Sequence, residues 1–183
     1  TEEKRVAIRL KYALPERYLM YVGSMTERKN LLAIVKALEL IPISERLPLV
    51  VIGARTAYTD VVVNYAMKRG LDNWLIFPNS VKNKDMPAIY QGADIFLYTS
   101  LYEGFGIPVL EALVSGVPVV TSNISALPEA AGPNSRLVNP TDVESIARSI
   151  MEITRDEDLS SEMISKGRTY ATKFESRVVS AQL

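Results

Sequence analysis

Two glutamates frame the part of this chain best equipped for chemistry. They are Glu103 and Glu111 in the run Tyr98-Thr99-Ser100-Leu101-Tyr102-Glu103-Gly104-Phe105-Gly106-Ile107-Pro108-Val109-Leu110-Glu111-Ala112. A carboxylate accepts hydrogen bonds from vicinal hydroxyls, so two at this spacing suit a polyhydroxy ligand. Gly104 and Gly106 lie between them, allow backbone geometries closed to other residues and let a ligand approach the main chain. Pro108 fits the first position of a helix, where its missing N–H costs nothing. The free amides of such a helix start form an anion site suited to phosphate. The same residues also fit a plain βα turn, where a glutamate in the first helical turn complements the dipole.

A second stretch, Gly23-Ser24-Met25-Thr26-Glu27-Arg28-Lys29-Asn30, also precedes a helix. Two adjacent cations there oppose the helix dipole. Phosphate contact is one reason for them, with Lys29 as a point charge and Arg28 as a fork. Two solvated cations on a loop is the other.

What the chain lacks narrows the chemistry. Among its 183 residues there is no histidine and no cysteine. Disulfides, thiolate metal sites and every Ser-His or Cys-His device are thereby excluded. Any catalysis rests on carboxylates, Lys, Arg, hydroxyls and backbone amides, and no metal site is expected. Lys plus Arg and Asp plus Glu both number 21, which argues against a nucleic-acid binder. The basic excess sits in 1–90 and the acidic excess in 91–183. No apolar run approaches the roughly 20 residues that span a bilayer, and no secretory signal is present. The chain starts without Met, at Thr1-Glu2-Glu3, as expected of a piece of something longer.

The elements that must position these residues follow from periodicity. Short β-branched or aromatic runs predict strands at 18–22, 49–52, 74–77, 95–98, 117–120 and 136–138. Amphipathic stretches predict helices over 29–40, Thr59 or Asp60 to Arg69, 85–90, 108–113, 125–131, 142–154 and 159–173. Asp85 is expected to cap the third of these, and a short helix is expected within 1–17. Near-continuous apolar strands alternating with helices indicate a parallel sheet covered on both faces. The predicted fold class is α/β: one doubly wound, Rossmann-like domain over 1–183 with about six strands. Ligands of such sheets bind beyond the carboxyl ends of the strands, which points to 23–29, 53–59, 78–85, 99–108 and 121–127. Phe96, Leu97, Val119 and Val120 are expected in the core, and Trp74 packs at a strand start. Tyr58 and Tyr102 lie in candidate site loops, with stacking on a base or sugar as the functional reading and packing as the plain one.

Together these segments resemble the donor-binding, C-terminal half of GT-B-fold retaining glycosyltransferases of family 4, group 1. Gly23 to Asn30 looks like that family's phosphate loop. Glu103 and Glu111, with seven residues between them, match its Glu-x7-Glu signature. Ala112 to Ser122, Leu127-Pro128-Glu129 and Leu137-Val138-Asn139-Pro140 resemble the segments that follow. Four motifs occur in the same order, each on its expected element.

The resemblance implies a role for each matched residue. Glu103 would contact the transferred sugar, and Glu111 the ribose hydroxyls of a nucleotide. Amides of Phe105, Gly106 and Ile107, after Gly104, would hold sugar and diphosphate. Lys29 would neutralise the departing diphosphate with Arg28 beside it and Gly23 and Ser24 lining the loop. Ser80 and Val81 would meet the base. No cofactor and no metal would be needed: fixed cations and dipoles replace the divalent ion. Ser24 stands where many members carry arginine, and Pro78-Asn79 where Leu-Gly is usual. Members carry an N-terminal acceptor domain and usually a histidine from it, and this chain shows neither. The expectation is therefore a domain that binds a nucleotide-sugar donor weakly and transfers no sugar alone. The acceptor, a glycan, lipid-linked or small-molecule hydroxyl, would be held by the missing domain. Cytoplasmic location is implied, with any contact at the inner face of the membrane made through that domain. Two alternatives remain beside it: an inactive nucleotide-binding or scaffolding domain, and a dinucleotide-dependent oxidoreductase. The second expects Gly-x-Gly-x-x-Gly after the first strand, where only Gly23 stands.

Overall fold

The computed structural model describes residues 2–174. Six strands form one sheet: β1 (Leu19–Val22), β2 (Leu49–Ile52), β3 (Leu75–Ile76), β4 (Ile95–Tyr98), β5 (Val119–Ser122) and β6 (Arg136–Val138). All pairings are parallel and the order is β3-β2-β1-β4-β5-β6. Order therefore reverses between β1 and β4. That places the loops after these two strands, 23–30 and 99–106, side by side at one end of the sheet.

Alternation along the strands sends side chains to two cores. Leu19, Tyr21, Leu49, Val51, Leu97 and Val120 face α2 (Leu31–Leu40), α3 (Ala57–Lys68) and α7 (Val143–Arg155). Met20, Val50, Phe96, Tyr98 and Val119 face α1 (Glu2–Lys11), α4 (Met86–Gly92), α5 (Ile107–Ser115) and α6 (Leu127–Ala131). The last helix, α8 (Glu157–Ala171), packs on α5 and α7. The doubly wound α/β expectation holds, and Phe96, Leu97, Val119 and Val120 are all buried.

Several boundaries differ from the sequence expectation, each for a local reason. The fifth strand was expected at 117–120 and runs through Ser122. Its polar end is buried because Thr121 and Ser122 donate to the carbonyls of Tyr98 and Ser100, at 2.7 and 2.6 Å. The 74–77 strand shrinks to two residues, since Asp72–Trp74 closes a 3-10 turn; Trp74 still packs, half-buried, on the core. Helix α3 starts earlier than expected because Thr56, not Thr59 or Asp60, is its N-cap. Thr56 and Thr59 form a reciprocal capping box, so Thr59 serves inside the helix. Asp85 caps nothing. Its buried carboxylate takes Lys11 Nζ and, at 2.8 Å, the Tyr12 hydroxyl, tying the end of α1 to α4. Helix α6 starts at Leu127, because Ser125 is left-handed with φ 58°.

One glycine fixes how the first two βα loops meet. Gly53 has φ +150°, and a Cβ on it would lie 1.9 Å from the carbonyl oxygen of Gly23. Gly53→Ala is accordingly expected to destabilise the fold by at least about 2 kcal/mol. Urea denaturation checks this, and a midpoint equal to that of the unsubstituted protein would contradict it.

Candidate functional site

Lys29 ends a 3-10 turn, Glu27–Lys29, that bridges β1 to α2. Its ammonium lies 2.7 Å from Glu103 Oε1, at the end of the neighbouring β4–α5 loop. Arg28 Nη1 reaches the same oxygen at 3.2 Å and also donates to the carbonyl of Tyr102. Three residues singled out from sequence are thus brought together by the switch in strand order. The Lys29 and Glu103 side chains are only 12% and 10% exposed, so the pair is sheltered while Arg28 remains half in solvent. Burial pushes the Glu103 carboxyl up. The Lys29 ammonium at 2.7 Å and the charge of Arg28 outweigh it and hold the pKa below the ordinary glutamate value.

Asn30 holds the two loops in contact. It sits in the left-handed region at φ 57°, which asparagine tolerates. Its Nδ2 donates at 2.9 Å to the carbonyls of both Thr99 and Pro140. The amide of Leu101 completes the join by donating to the Arg28 carbonyl at 2.8 Å. Asn30→Ala removes two buried-edge hydrogen bonds and is expected to cost about 2–3 kcal/mol. Asn30→Gly, which keeps the backbone geometry, should recover only part of the loss in the same urea titration. Full recovery by glycine would show that the amide contacts contribute nothing.

On the other side of the loop, Ser125 acts as a clasp. Its hydroxyl donates to the Glu103 carbonyl at 2.7 Å and accepts from the Glu103 amide at 2.9 Å. Gly106 then turns the chain into α5 with φ 112°; a Cβ there would lie 2.9 Å from Leu127 Cδ2. At the start of α5 Pro108 has no N–H and the amides of Val109 and Leu110 donate back to the Gly106 carbonyl at 3.0 and 3.4 Å, which leaves the Ile107 amide without a helical acceptor. Gly104 and Ile107 are exposed, while the Phe105 ring turns away onto Phe174 with centroids 5.7 Å apart.

A cleft of about 530 Å³ opens beside this cluster. Val22, Gly23, Ser24, Ile52 and Gly53 form one wall and Val81, Met86 and Pro87 another, with Tyr90, Glu111 and Ser115 between them. Gly23, Ser24, Val81 and Glu111 thus share one cavity. Ser80, exposed with φ 49°, stands next to Val81 but not in the lining. Glu103 and Lys29 are not in that lining either, so the two glutamates face adjoining spaces rather than a single crevice. Gly23 links the spaces: a Cβ on it would touch the Lys29 stem at 3.8 Å. Tyr58 is half-buried against the core, while Tyr102 is 63% exposed next to Glu103.

Tyrosine hydroxyls carry much of this arrangement and were not singled out from sequence. Tyr98, buried at the end of β4, accepts a hydrogen bond from Lys29 and lies under its ammonium, 4.9 Å from ring centroid to Nζ. Tyr21, buried one residue before the end of β1 and on the opposite face of the sheet, donates to the Ser24 carbonyl at 3.2 Å. Tyr90 donates to Glu111 Oε2 at 3.0 Å. Burial, then the neighbouring acidic groups, push all three phenols well above their ordinary range, so they stay protonated donors. The one available signal was position, since Tyr21 and Tyr98 stand next to or at the carboxyl ends of adjacent strands.

Residues 5–170 match the family described as glycosyl transferases group 1. The chain belongs to that family. Within it, the chain is 35% identical over 167 residues to O-antigen chain mannosyltransferase B of Escherichia coli, covering 90% of this chain and 44% of that protein. A serotype-specific mannosyltransferase of the same species is 31% identical over 176 residues, 94% of this chain and 22% of its own length. This group 1 chain therefore spans less than half the length of these curated relatives. Among solved structures, the C-terminal domain of a group 1 glycosyl transferase from Francisella tularensis superposes with TM-score 0.81 at 24% identity, covering 93% of this chain and 92% of that one. HepE from Anabaena, solved in complex with UDP and glucose, gives TM-score 0.85 at 19% identity over 94% of this chain and 48% of its own. The group 1 fold is thus that of a C-terminal GT-B domain. Among the described residues, no helix is long and apolar enough to cross a membrane.

Proposed function

We propose that this chain is the donor-binding domain of a retaining glycosyltransferase acting in polysaccharide or glycoconjugate synthesis. It moves a sugar from a nucleotide-diphosphate sugar to an acceptor hydroxyl. The observation that carries this reading is the convergence of Lys29 and Arg28 on Glu103, beside a cleft that contains Glu111. The names of the two mannosyltransferase relatives favour mannose as the transferred sugar.

Each group has a task in this chemistry. Glu111, on the first turns of α5, accepts hydrogen bonds from ribose hydroxyls. Lys29 and Arg28 take the diphosphate, together with the Ile107 amide that follows Gly106. As the glycosidic bond breaks, negative charge grows on the diphosphate, and cations already in place stabilise it without reorganisation. This takes over the part a divalent metal plays elsewhere. The acceptor hydroxyl attacks on the face the diphosphate leaves and passes its proton to the departing phosphate oxygen, so configuration is retained without a covalent enzyme intermediate. Glu103 is ionised at neutral pH and positions the sugar while stabilising positive charge at its anomeric carbon. The acceptor is held by a second domain, which is why the chain by itself is expected to bind donor without transferring sugar.

Calorimetric titration with uridine diphosphate, guanosine diphosphate and NAD tests the reading. One nucleoside diphosphate is expected to bind and NAD is not. Binding of neither diphosphate favours a scaffolding domain, and binding of NAD favours an oxidoreductase.

A further inference from the structure

Tyr90 belongs to none of the motifs above, yet it is the partner that Glu111 has among the described residues. We propose that Tyr90 is a positioning residue: its hydroxyl pins one oxygen of Glu111 so that the other is presented to the sugar hydroxyls of a bound nucleotide. The proposal rests on Glu111 being a donor-site residue, as argued above.

Three observations carry it. The phenol is fixed. Tyr90 is 2% exposed on α4, its ring packs on Phe96 at 5.4 Å, and Phe96 stacks in turn on Tyr98 at 5.8 Å. The hydroxyl donates to one side-chain acceptor, Glu111 Oε2 at 3.0 Å, whereas ring packing alone would be served equally by phenylalanine. Among the described residues no cation forms an ion pair with the carboxylate, although Lys84 lines the same cleft. Glu103 is paired twice, whereas Glu111 opens on a cleft walled largely by Val22, Ile52, Val81, Met86 and Pro87. A half-buried carboxylate with one neutral donor keeps its direction only through that donor.

A measurable consequence follows for protonation. Burial raises the Glu111 pKa, and the Tyr90 hydrogen bond partly opposes this. The other groups facing the carboxylate's cleft are Lys84, Asn83 and Ser24 from neighbouring loops and Ser115 from α5 itself. Protonated Glu111 loses acceptor capacity, so nucleotide affinity falls as pH drops through its pKa. Removing the Tyr90 hydroxyl raises that pKa further, so the fall begins at a higher pH.

Tyr90→Phe keeps the packed ring and removes only the hydroxyl. It is compared with Glu111→Gln and with the double substitution, in the 183-residue chain. Uridine and guanosine diphosphates are titrated calorimetrically between about pH 5 and 8. In parallel, the Glu111 carboxyl carbon is titrated by NMR without ligand. Tyr90→Phe is expected to weaken binding roughly 5- to 10-fold, with the acid-side loss moved to higher pH. Glu111→Gln should flatten the pH profile, and the double variant should bind no more weakly than Glu111→Gln alone. The carboxyl carbon should titrate at higher pH in Tyr90→Phe. An unshifted carboxyl titration, or losses that add in full, overturns the proposal. Failure of the unsubstituted chain to bind either diphosphate overturns the donor-site reading instead, and the NMR titration still decides what Tyr90 does to Glu111.

Discussion

Lys29→Met in the two-domain enzyme is expected to lower turnover by about 10²–10³-fold while leaving nucleotide affinity within roughly tenfold. Methionine keeps the stem that packs near Gly23 and removes only the charge. The effect is concentrated in turnover because the charge on the diphosphate grows as the sugar leaves, and the ammonium is already in place. Steady-state kinetics with the nucleotide sugar read it out; turnover within threefold of the unsubstituted enzyme would contradict the assignment. The free protein gives an independent sign. With Lys29 gone, Glu103 keeps only the half-exposed Arg28, so its depressed pKa relaxes upward. A carboxyl whose folded pKa is depressed contributes stability above its unfolded pKa and loses it as pH falls through the folded one. The stability gap between the two proteins should therefore be present at neutral pH and close in acid, below the ordinary glutamate range.

The two glutamates should separate cleanly by phenotype. Glu111→Ala is expected to weaken nucleoside diphosphate binding roughly 10- to 100-fold, since charged hydrogen bonds to the ribose are lost. Glu103→Ala should mainly lower turnover, because its carboxylate is engaged with Lys29 and Arg28 and lies outside the cleft lining. Affinity for the bare nucleotide, measured on both variants, distinguishes them. Equal losses would mean that the two carboxylates share one ligand group, against their placement in adjoining spaces.

Much of this architecture was readable from periodicity. Six parallel strands and helices on both faces follow from short apolar runs, and Phe96 and Val119 sit in the core where alternation puts them. Where reading failed, a side chain had found a partner far away in sequence. Asp85 looks like a helix cap until Lys11 and Tyr12 arrive from α1 to claim its carboxylate. Thr121 and Ser122 look too polar for a buried strand until the carbonyls of β4 accept their protons. The site shows the same limit. Arg28, Lys29 and Glu103 stood out by residue type and place, and the reversal of strand order between β1 and β4 joined them. Tyr98 and Tyr90 carry no motif in the sequence, and only their hydroxyl partners reveal their part. Ser125 gave no signal, because its clasp on Glu103 depends on a backbone angle that composition does not encode.

A crystal of this domain soaked with a nucleotide-diphosphate sugar tests the central claim most directly. The diphosphate should lie against Lys29 and the Ile107 amide at the start of α5, with the ribose on Glu111 and the hexose near Glu103. Electron density for the nucleotide at the opposite end of the sheet, or with Lys29 still closed on Glu103 and no phosphate near it, would contradict the account.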